Sequence, residues 1–492
     1  MKAKSSFRSI VWDEKLNNPQ GFIFLLFCSA LFAIVVGNLG LASGVMILIA
    51  TVALPAIYTI VVYPKIGITV LLIMAYFIMW IISMGLVGDF PLGTIMDALE
   101  AVLILGFLIK QKQRPNLEIF KNPISVMILI WIAYNILMFG NPTAESRLAW
   151  VYTIRTTALI MLMYFIFSYH IKTISFIRFL LKLWLALALF AAIYAFKQEH
   201  FGFFGFEESN LSDIRLRRLL FIAGHWRVFS IFAEPVSFSY FMVVSSILCI
   251  SLIFGPTSNK NKIILSGLVL FFLLTMLYSG TRSAYPLLPA AMVLFAVLNY
   301  NKRMLVLYVV FGVLFFFSIS VPTGNQTIRR YQSAFTPSDD ASFNVRKINQ
   351  SRMVSYIQTH PFGGGLGATG QWGVRFSPNS FLAQVPPDSG YFRTALELGW
   401  IGLLLFCTLM FIILREGINN YFKIHDAELK SYCLAMTLIV FAYSIGNYPQ
   451  EALIQFPANI YFYLVTALIN ITYQLDKEKR KQKVPQIAIT IS

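Results

Sequence analysis

The sequence predicts an all-α polytopic membrane protein with about 14 transmembrane helices, between 12 and 14. Of its 492 residues, 58% are hydrophobic and 12% are charged, and apolar runs recur at the length of about 20 residues that crosses a bilayer. Lipid offers the backbone no hydrogen-bond partners, so such runs must be helices. The predicted spans are residues 20–37, 43–63, 66–86, 92–109, 123–140, 150–169, 175–196, 235–254, 262–279, 284–300, 303–321, 391–414, 430–447 and 455–474.

Basic residues predict the orientation of these spans. With the N-terminus in the cytoplasm, 24 of the 39 lysines and arginines lie on inward segments or their flanks, and every short inward loop is basic. This distribution satisfies the positive-inside rule and places both termini in the cytoplasm. The first apolar run follows Lys2, Lys4, Arg8 and Lys15 with no convincing cleavage site, which predicts a retained anchor.

The two sides are predicted to use different basic residues. The inward set holds 18 Lys and 6 Arg, whereas the remaining outward set holds 13 Arg and 2 Lys. Guanidinium groups bind phosphate or carboxylate through two parallel hydrogen bonds, while lysine suffices for attraction to anionic lipid. The outward face is therefore predicted to handle an anionic ligand. For any single arginine, pairing with headgroups or local acids is the alternative. The net charge of +17 is mostly an orientation signal and predicts no nucleic-acid partner.

Five regions follow from this topology. A transmembrane scaffold at 1–196 precedes a first outward loop at 197–234, a transmembrane core at 235–321, a large outward loop at 322–390, and C-terminal helices with a basic tail at 391–492. Long loops are usually functional or disordered. The large loop is predicted to contain a surface helix near 342–359, followed by a glycine-rich stretch. It is expected to act either as a mobile lid or as a rigid cap.

Three predicted site residues lie at the predicted outward ends of transmembrane spans. Arg227 and Glu234 end the first loop in "HWRVFSIFAEP", and Arg282 sits in the tight turn "SGTRSAYP". Charged groups at such places are costly unless they face a cavity or a partner. The alternatives are that Glu234 is only the counter-ion of Arg227, and that Arg282 anchors a headgroup.

Further candidates lie on the same predicted face. Substrate contacts are predicted for Arg215, Arg217, Arg218, Arg346, His360 and Tyr391, and a catalytic role for Asp388. A solvated face is the alternative for the three clustered arginines, a helix-stop contact for His360, and helix capping for Asp388. The run Gly363–Gly367 can present backbone N–H groups to an anion, or can be a plain turn.

No metal or cofactor is predicted. The four cysteines fall in apolar spans, and the five histidines are scattered without metal-ligand spacing. The expected catalysis is therefore metal-independent.

The motifs "RVFSIFAEP", "SGTRSAYP", "HPFGGGLGATG" and "DSGYFRTALELGWIGLLLF", in this order over residues 210–415, resemble the O-antigen polymerase and ligase family. The resemblance implies a GT-C-type fold and the use of glycans on undecaprenyl pyrophosphate at the outer face of the bacterial inner membrane. It also implies that Arg227 and Arg282 hold the donor pyrophosphate, and that Arg346 matches the family's arginine on the outward helix. A chain-length regulator and a flippase are implied as partners, beside the acceptor glycan and membrane lipid.

One departure favours polymerase over ligase. Ligases of the family carry a histidine in the segment that re-enters the membrane, where this chain reads "PPDSGYF". The general base then stays open between Glu234, Asp388 and His360. The alternatives are an O-antigen ligase or protein O-glycosyltransferase and, in another class, a lipid-linked oligosaccharide flippase. Transporters place their polar site near the bilayer midplane, unlike this pattern.

Overall fold

The computed structural model describes residues 41–85, 93–222, 224–300, 321–324, 341–386 and 388–490, with scattered positions in 19–37 and 309–335. Only nine of the 18 residues of predicted span 20–37 and eight of the 19 residues of span 303–321 are described. The side chains of Arg215 and Arg346 lie outside the described part of the structure. Residues 1–66 form one compact unit and residues 67–492 a second. The second unit contains the candidate site.

The described elements are almost entirely helical. Residues Phe221–Ile222 (β1) and His225–Trp226 (β2) pair as a short antiparallel hairpin. The helices are α1 Leu41–Val62, α2 Pro64–Ser83, α3 Gly93–Gln113, α4 Pro123–Leu137, α5 Arg147–Thr157, α6 Leu162–His170, α7 Ile174–Phe201, α8 Gly205–Leu211, α9 Ile214–Leu220, α10 Pro235–Ile253, α11 Asn259–Tyr278, α12 Leu287–Leu298, α13 Ala341–Thr359, α14 Gly370–Phe376, α15 Gly390–Lys423, α16 Ala427–Gly446 and α17 Ala458–Thr490.

Among the described residues, eight helical segments are long and apolar enough to cross a membrane. They are Pro64–Ser83, Pro123–Gly140, Arg147–His170, Ile174–Phe201, Pro235–Ile253, Asn259–Tyr278, Gly390–Lys423 and Ala427–Gly446. Each overlaps a predicted span, so the all-α polytopic class is confirmed. Four other predicted spans, 43–63, 92–109, 284–300 and 455–474, are largely helical in the structure but do not belong to this group of eight.

Two helices form the centre of the second unit. In α10 and α16, 72% and 78% of the apolar window is buried, against 22% in α11, so the first two are surrounded by other helices and α11 lies at the periphery. Helix α10 packs against both α11 and α16. A helix enclosed on all sides needs no polar face, and both central helices are apolar around their circumference.

Several polar side chains inside the bundle form hydrogen bonds within or between helices. The hydroxyl of Ser246 donates to the carbonyl of Met242 one turn earlier, at 2.9 Å. The indole N–H of Trp184 reaches Ser245 Oγ at 2.9 Å and so joins α7 to α10. Such contacts hold helices together where no water is available.

Helix α15 contains a break that shapes the site. Gly399 lies inside it with φ of 71° and ψ of −178°. A side-chain Cβ at this position would fall 1.9 Å from the carbonyl oxygen of Pro361, so only glycine fits. The break frees carbonyls from the helical ladder, and Leu398 O accepts a hydrogen bond from Tyr134 Oη at 2.7 Å.

Candidate functional site

Arg227 joins the end of the first loop to the turn between α11 and α12. It follows β2, and its backbone N–H donates to Leu220 O at 2.7 Å. Its guanidinium donates from Nε to Ser279 O at 3.0 Å and from Nη2 to Thr281 Oγ1 at 3.1 Å. Thr281 immediately precedes Arg282, so the structure brings the two arginine-bearing segments together.

Arg282 opens a single 3₁₀ turn, Arg282–Ala284, between α11 and α12. It is half-buried, whereas Ser279 and Thr281 beside it are buried. Arg282 thus lies at a helix end, and the side chain of Arg227 reaches the same turn from the end of the first loop. Guanidinium groups can donate charge-assisted hydrogen bonds to an anion.

The segment carrying Arg227 is fixed to α7 by buried hydrogen bonds. Gln198 Oε1 accepts from the N–H of Ser230 at 2.7 Å, and Ser230 has an unusual positive φ of 56°. Glu207, on α8, is buried and accepts from Gln198 Nε2 at 2.6 Å and from Tyr194 Oη at 2.9 Å. The first loop is therefore a packed structure, which holds Arg227 in one place.

Glu234 lies at the start of α10 but does not cap it, because its side chain makes no capping hydrogen bond. Its Oε1 lies 3.3 Å from Ser237 Oγ, which in turn lies 2.8 Å from Gln455 Oε1. Burial raises the pKa of the Glu234 carboxyl above its usual 4.5, against the opposing effects of Ser237, Arg227 and Gln455. The Glu234 carboxyl is therefore a buried group close to Arg227, with a pKa raised by its burial.

The sequence interpretation missed a second set of charges, centred on Arg393 in α15. Its Nε donates to Glu397 Oε1 at 2.9 Å and its Nη1 to Glu451 Oε1 at 3.1 Å. Burial, offset by the charge of Arg393, raises the pKa of Glu451, and the charges of Glu397 and Glu234 add to the shift. The spacing of Arg393 and Glu397, one helical turn apart, was the available signal for this pair.

The glycine run forms hydrogen bonds with α15, which fits the plain-turn interpretation of this segment rather than binding of an external anion. The N–H groups of Gly364 and Gly365 donate to Leu396 O at 2.8 Å and Glu397 O at 3.0 Å. The side-chain carboxylate of Glu397 accepts from the N–H of Gly367 at 3.0 Å and from Thr369 Oγ1 at 2.6 Å. The anion held by this loop is therefore an internal glutamate.

The run is also anchored on its other side. Asn141 Nδ2 donates to Phe362 O at 3.0 Å, and Thr143 Oγ1 donates to Gly363 O at 2.5 Å. With both sides bonded, this part of the large loop has the contacts of a rigid cap rather than those of a hinge.

Helix α13, predicted near 342–359, is present at Ala341–Thr359. His360 follows it and stacks on Tyr356 with ring centroids 4.0 Å apart. Its Nδ1 lies 2.9 Å from Thr359 Oγ1 and 3.0 Å from Tyr356 O. These contacts support the helix-end alternative for His360 over a role as base.

The structure also locates Asp388 and Tyr391. The cap of α15 is Ser389, whose Oγ accepts from Phe392 N at 3.4 Å, so the capping alternative for Asp388 is wrong and its predicted catalytic role stays a prediction. Tyr391 Oη donates to Ser444 O at 2.8 Å and ties α15 to α16, and its predicted contact with substrate stays a prediction.

Arg217 and Arg218 are exposed on α9, which leads directly into the hairpin before Arg227. Arg215 lies on the same helix and Arg346 on α13. Over the described ranges, no group of three or more His, Cys, Asp or Glu side chains comes together in a way that suits a metal ion.

Fold and site together define a polytopic membrane protein with a charged site at one end of its helix bundle. Residues 267–407 match the O-antigen ligase family model. The chain thus carries a domain of this family, and the resemblance seen in its motifs is confirmed. The matched segment includes Arg282, Arg393 and Glu397, whereas Arg227 precedes it. No curated protein gives a significant match to the chain.

Proposed function

We propose that this protein polymerises lipid-linked polysaccharide repeat units of an O-antigen, capsule or exopolysaccharide. The family match supports a ligase- or polymerase-type membrane glycosyltransferase. The observation that carries the proposal is the contact of Arg227 with Ser279 and Thr281, which places it beside the turn of Arg282. A guanidinium group held beside the turn that carries a second arginine suits a pyrophosphate.

In the proposed reaction, an acceptor sugar hydroxyl attacks the anomeric carbon of a glycan carried on undecaprenyl pyrophosphate. The new glycosidic bond forms as the bond to the pyrophosphate oxygen breaks, and attack from the opposite side inverts the anomeric configuration. Arg227 and Arg282 stabilise the negative charge that grows on the leaving group. Glu234 accepts the hydroxyl proton, since its raised pKa makes the carboxylate a stronger base.

The proposed setting follows from the distribution of basic residues. The site faces the periplasm, both termini lie in the cytoplasm, and the protein resides in the bacterial inner membrane. The substrates are the lipid-linked glycan and the acceptor glycan, with a flippase and a chain-length regulator as further partners.

O-antigen ligase activity is the second candidate, favoured by the description of the matching family. The segment "PPDSGYF" before α15, which lacks the ligase histidine, favours polymerase. The two functions give different products in a deletion strain. Loss of a polymerase leaves single-repeat glycans on the final acceptor, whereas loss of a ligase leaves none there.

The test compares the chain-length ladder of the glycan in a strain that lacks this protein with the ladders after complementation by the wild-type protein or by the Arg282→Ala variant. Single-repeat products in the deletion, a restored ladder with wild type and no ladder with the variant are expected. A full ladder in the deletion strain would contradict the proposal.

A further inference from the structure

A cleft, partly open to solvent, lies beside the glycine run. Its lining includes Glu145 and Ser146 from the loop before α5, Tyr356 from α13, and Ser377 and Phe381 after α14. Alanine, glycine and leucine residues complete the lining. Hydroxyl groups, a carboxylate and aromatic rings set among apolar side chains can together recognise a sugar.

The walls of the cleft are fixed. A Cβ at Gly364 would lie 2.1 Å from Leu382 Cδ1 and 2.8 Å from Tyr356 Oη, so the glycine run packs directly against both neighbours. Burial and the nearby Glu145 carboxylate raise the pKa of Tyr356, so its phenol stays protonated and able to donate a hydrogen bond. Preformed walls lower the entropic cost of binding.

The cleft is connected to the charged site through one turn of α15. Gly365, in the cleft wall, donates to Glu397 O, and the Glu397 side chain accepts from Arg393. Arg393 also donates to Glu451. The cleft and the charged site are therefore attached to the same rigid segment, with their relative position set by these bonds.

We propose that this cleft binds an uncharged, hydroxyl-rich sugar of the acceptor glycan, apart from the unit whose hydroxyl attacks. Glu145 would accept hydrogen bonds from adjacent sugar hydroxyls, and its charge would disfavour phosphate and uronate groups. The inference rests on the proposed function for the identity of the ligand as acceptor, and it assigns the acceptor and the donor pyrophosphate to different places.

The test is a binding titration by saturation-transfer NMR on the purified full-length protein. The probe is the repeat-unit oligosaccharide released by mild acid from the polysaccharide of the host cell. Glu145→Ala, which removes the carboxylate, and Ser377→Phe, which fills the rim, should each weaken binding about tenfold or more. Glu208→Gln, an exposed carboxylate on α8, and Asn379→Phe, which adds the same bulk at an exposed position outside the cleft, should bind as wild type.

The outcomes separate this inference from the proposed function. Wild-type affinity in both cleft variants, or no binding to wild type, would overturn the acceptor cleft while leaving the Arg282→Ala ladder result untouched. Displacement of the oligosaccharide by inorganic pyrophosphate would also overturn it. Binding that is lost in the cleft variants, combined with a full ladder in the deletion strain, would support the sugar site and reject the polymerase.

Discussion

Glu397 accepts a hydrogen bond at 3.0 Å from the backbone N–H of Gly367, thirty residues earlier in the chain. The same carboxylate accepts from Arg393, one helical turn before it. The loop that contains the glycine run is thereby bonded to the beginning of α15. The Glu397 carboxylate therefore fixes the position of both the glycine run and the guanidinium group of Arg393.

Removing this carboxylate should release the glycine loop. Glu397→Ala leaves the N–H of Gly367 without its acceptor and breaks one side of a buried ion pair, at a cost of about 3–5 kcal/mol. Hydrogen exchange across residues 363–370 should become faster and the unfolding temperature should fall. Glu416→Ala, a half-exposed carboxylate later in α15, should change neither. Unchanged exchange in Glu397→Ala would show that other contacts hold the loop.

The break in α15 should tolerate only glycine. Gly399→Ala forces a side chain into a positive φ and against Pro361 O, so a large loss of folded protein is expected, measured by size-exclusion profile and thermal denaturation. Gly267→Ala is the matched control, since Gly267 lies in helix α11 with open space around it. This change should be neutral or should stabilise the protein by up to about 1 kcal/mol. Equal stability of both variants would contradict the packing described.

Arg227 and Arg282 should both be needed for a normal rate of glycan transfer. Arg227→Ala and Arg282→Ala should each reduce the rate of glycan transfer on the order of 100- to 1000-fold, because each removes a donor that acts on the leaving group. Arg→Lys should rescue poorly, since lysine lacks the bidentate geometry. The measurement is product formation from lipid-linked glycan by purified protein. Arg415→Ala, exposed near the opposite end of α15, is the control. Near-normal transfer by Arg282→Ala would remove Arg282 from the mechanism.

The pH dependence should report Glu234. A base must be unprotonated, so kcat/KM should rise with pH through a pKa above the usual 4.5, and Glu234→Gln should abolish this acidic limb. The effect on stability has the opposite sign. Between 4.5 and the raised pKa, the folded state holds a proton that the unfolded chain has released, so this contribution to stability is lost as pH rises. An acidic limb that survives Glu234→Gln but disappears in Asp388→Asn would assign the base to Asp388.

Metal removal should leave the reaction intact. The charge on the leaving group is assigned to two arginines, so transfer by purified protein should continue in excess chelator. The measurement is the initial rate with and without EDTA after dialysis. A loss of activity that Mg²⁺ or Mn²⁺ restores would contradict the prediction.

The sequence by itself determined the class of protein and showed which charged residues border its apolar segments. Apolar runs of bilayer length can only be helices, so the all-α membrane class follows from local pattern alone, and a helix near 342–359 could also be predicted. The tertiary structure decided which groups meet. The pairing of Arg393 with Glu451, the capture of the glycine run by Glu397 and the cleft beside Tyr356 all join residues far apart in the chain. Hydropathy describes how each segment meets lipid or water, but a contact between segments depends on their packing, which no local pattern contains.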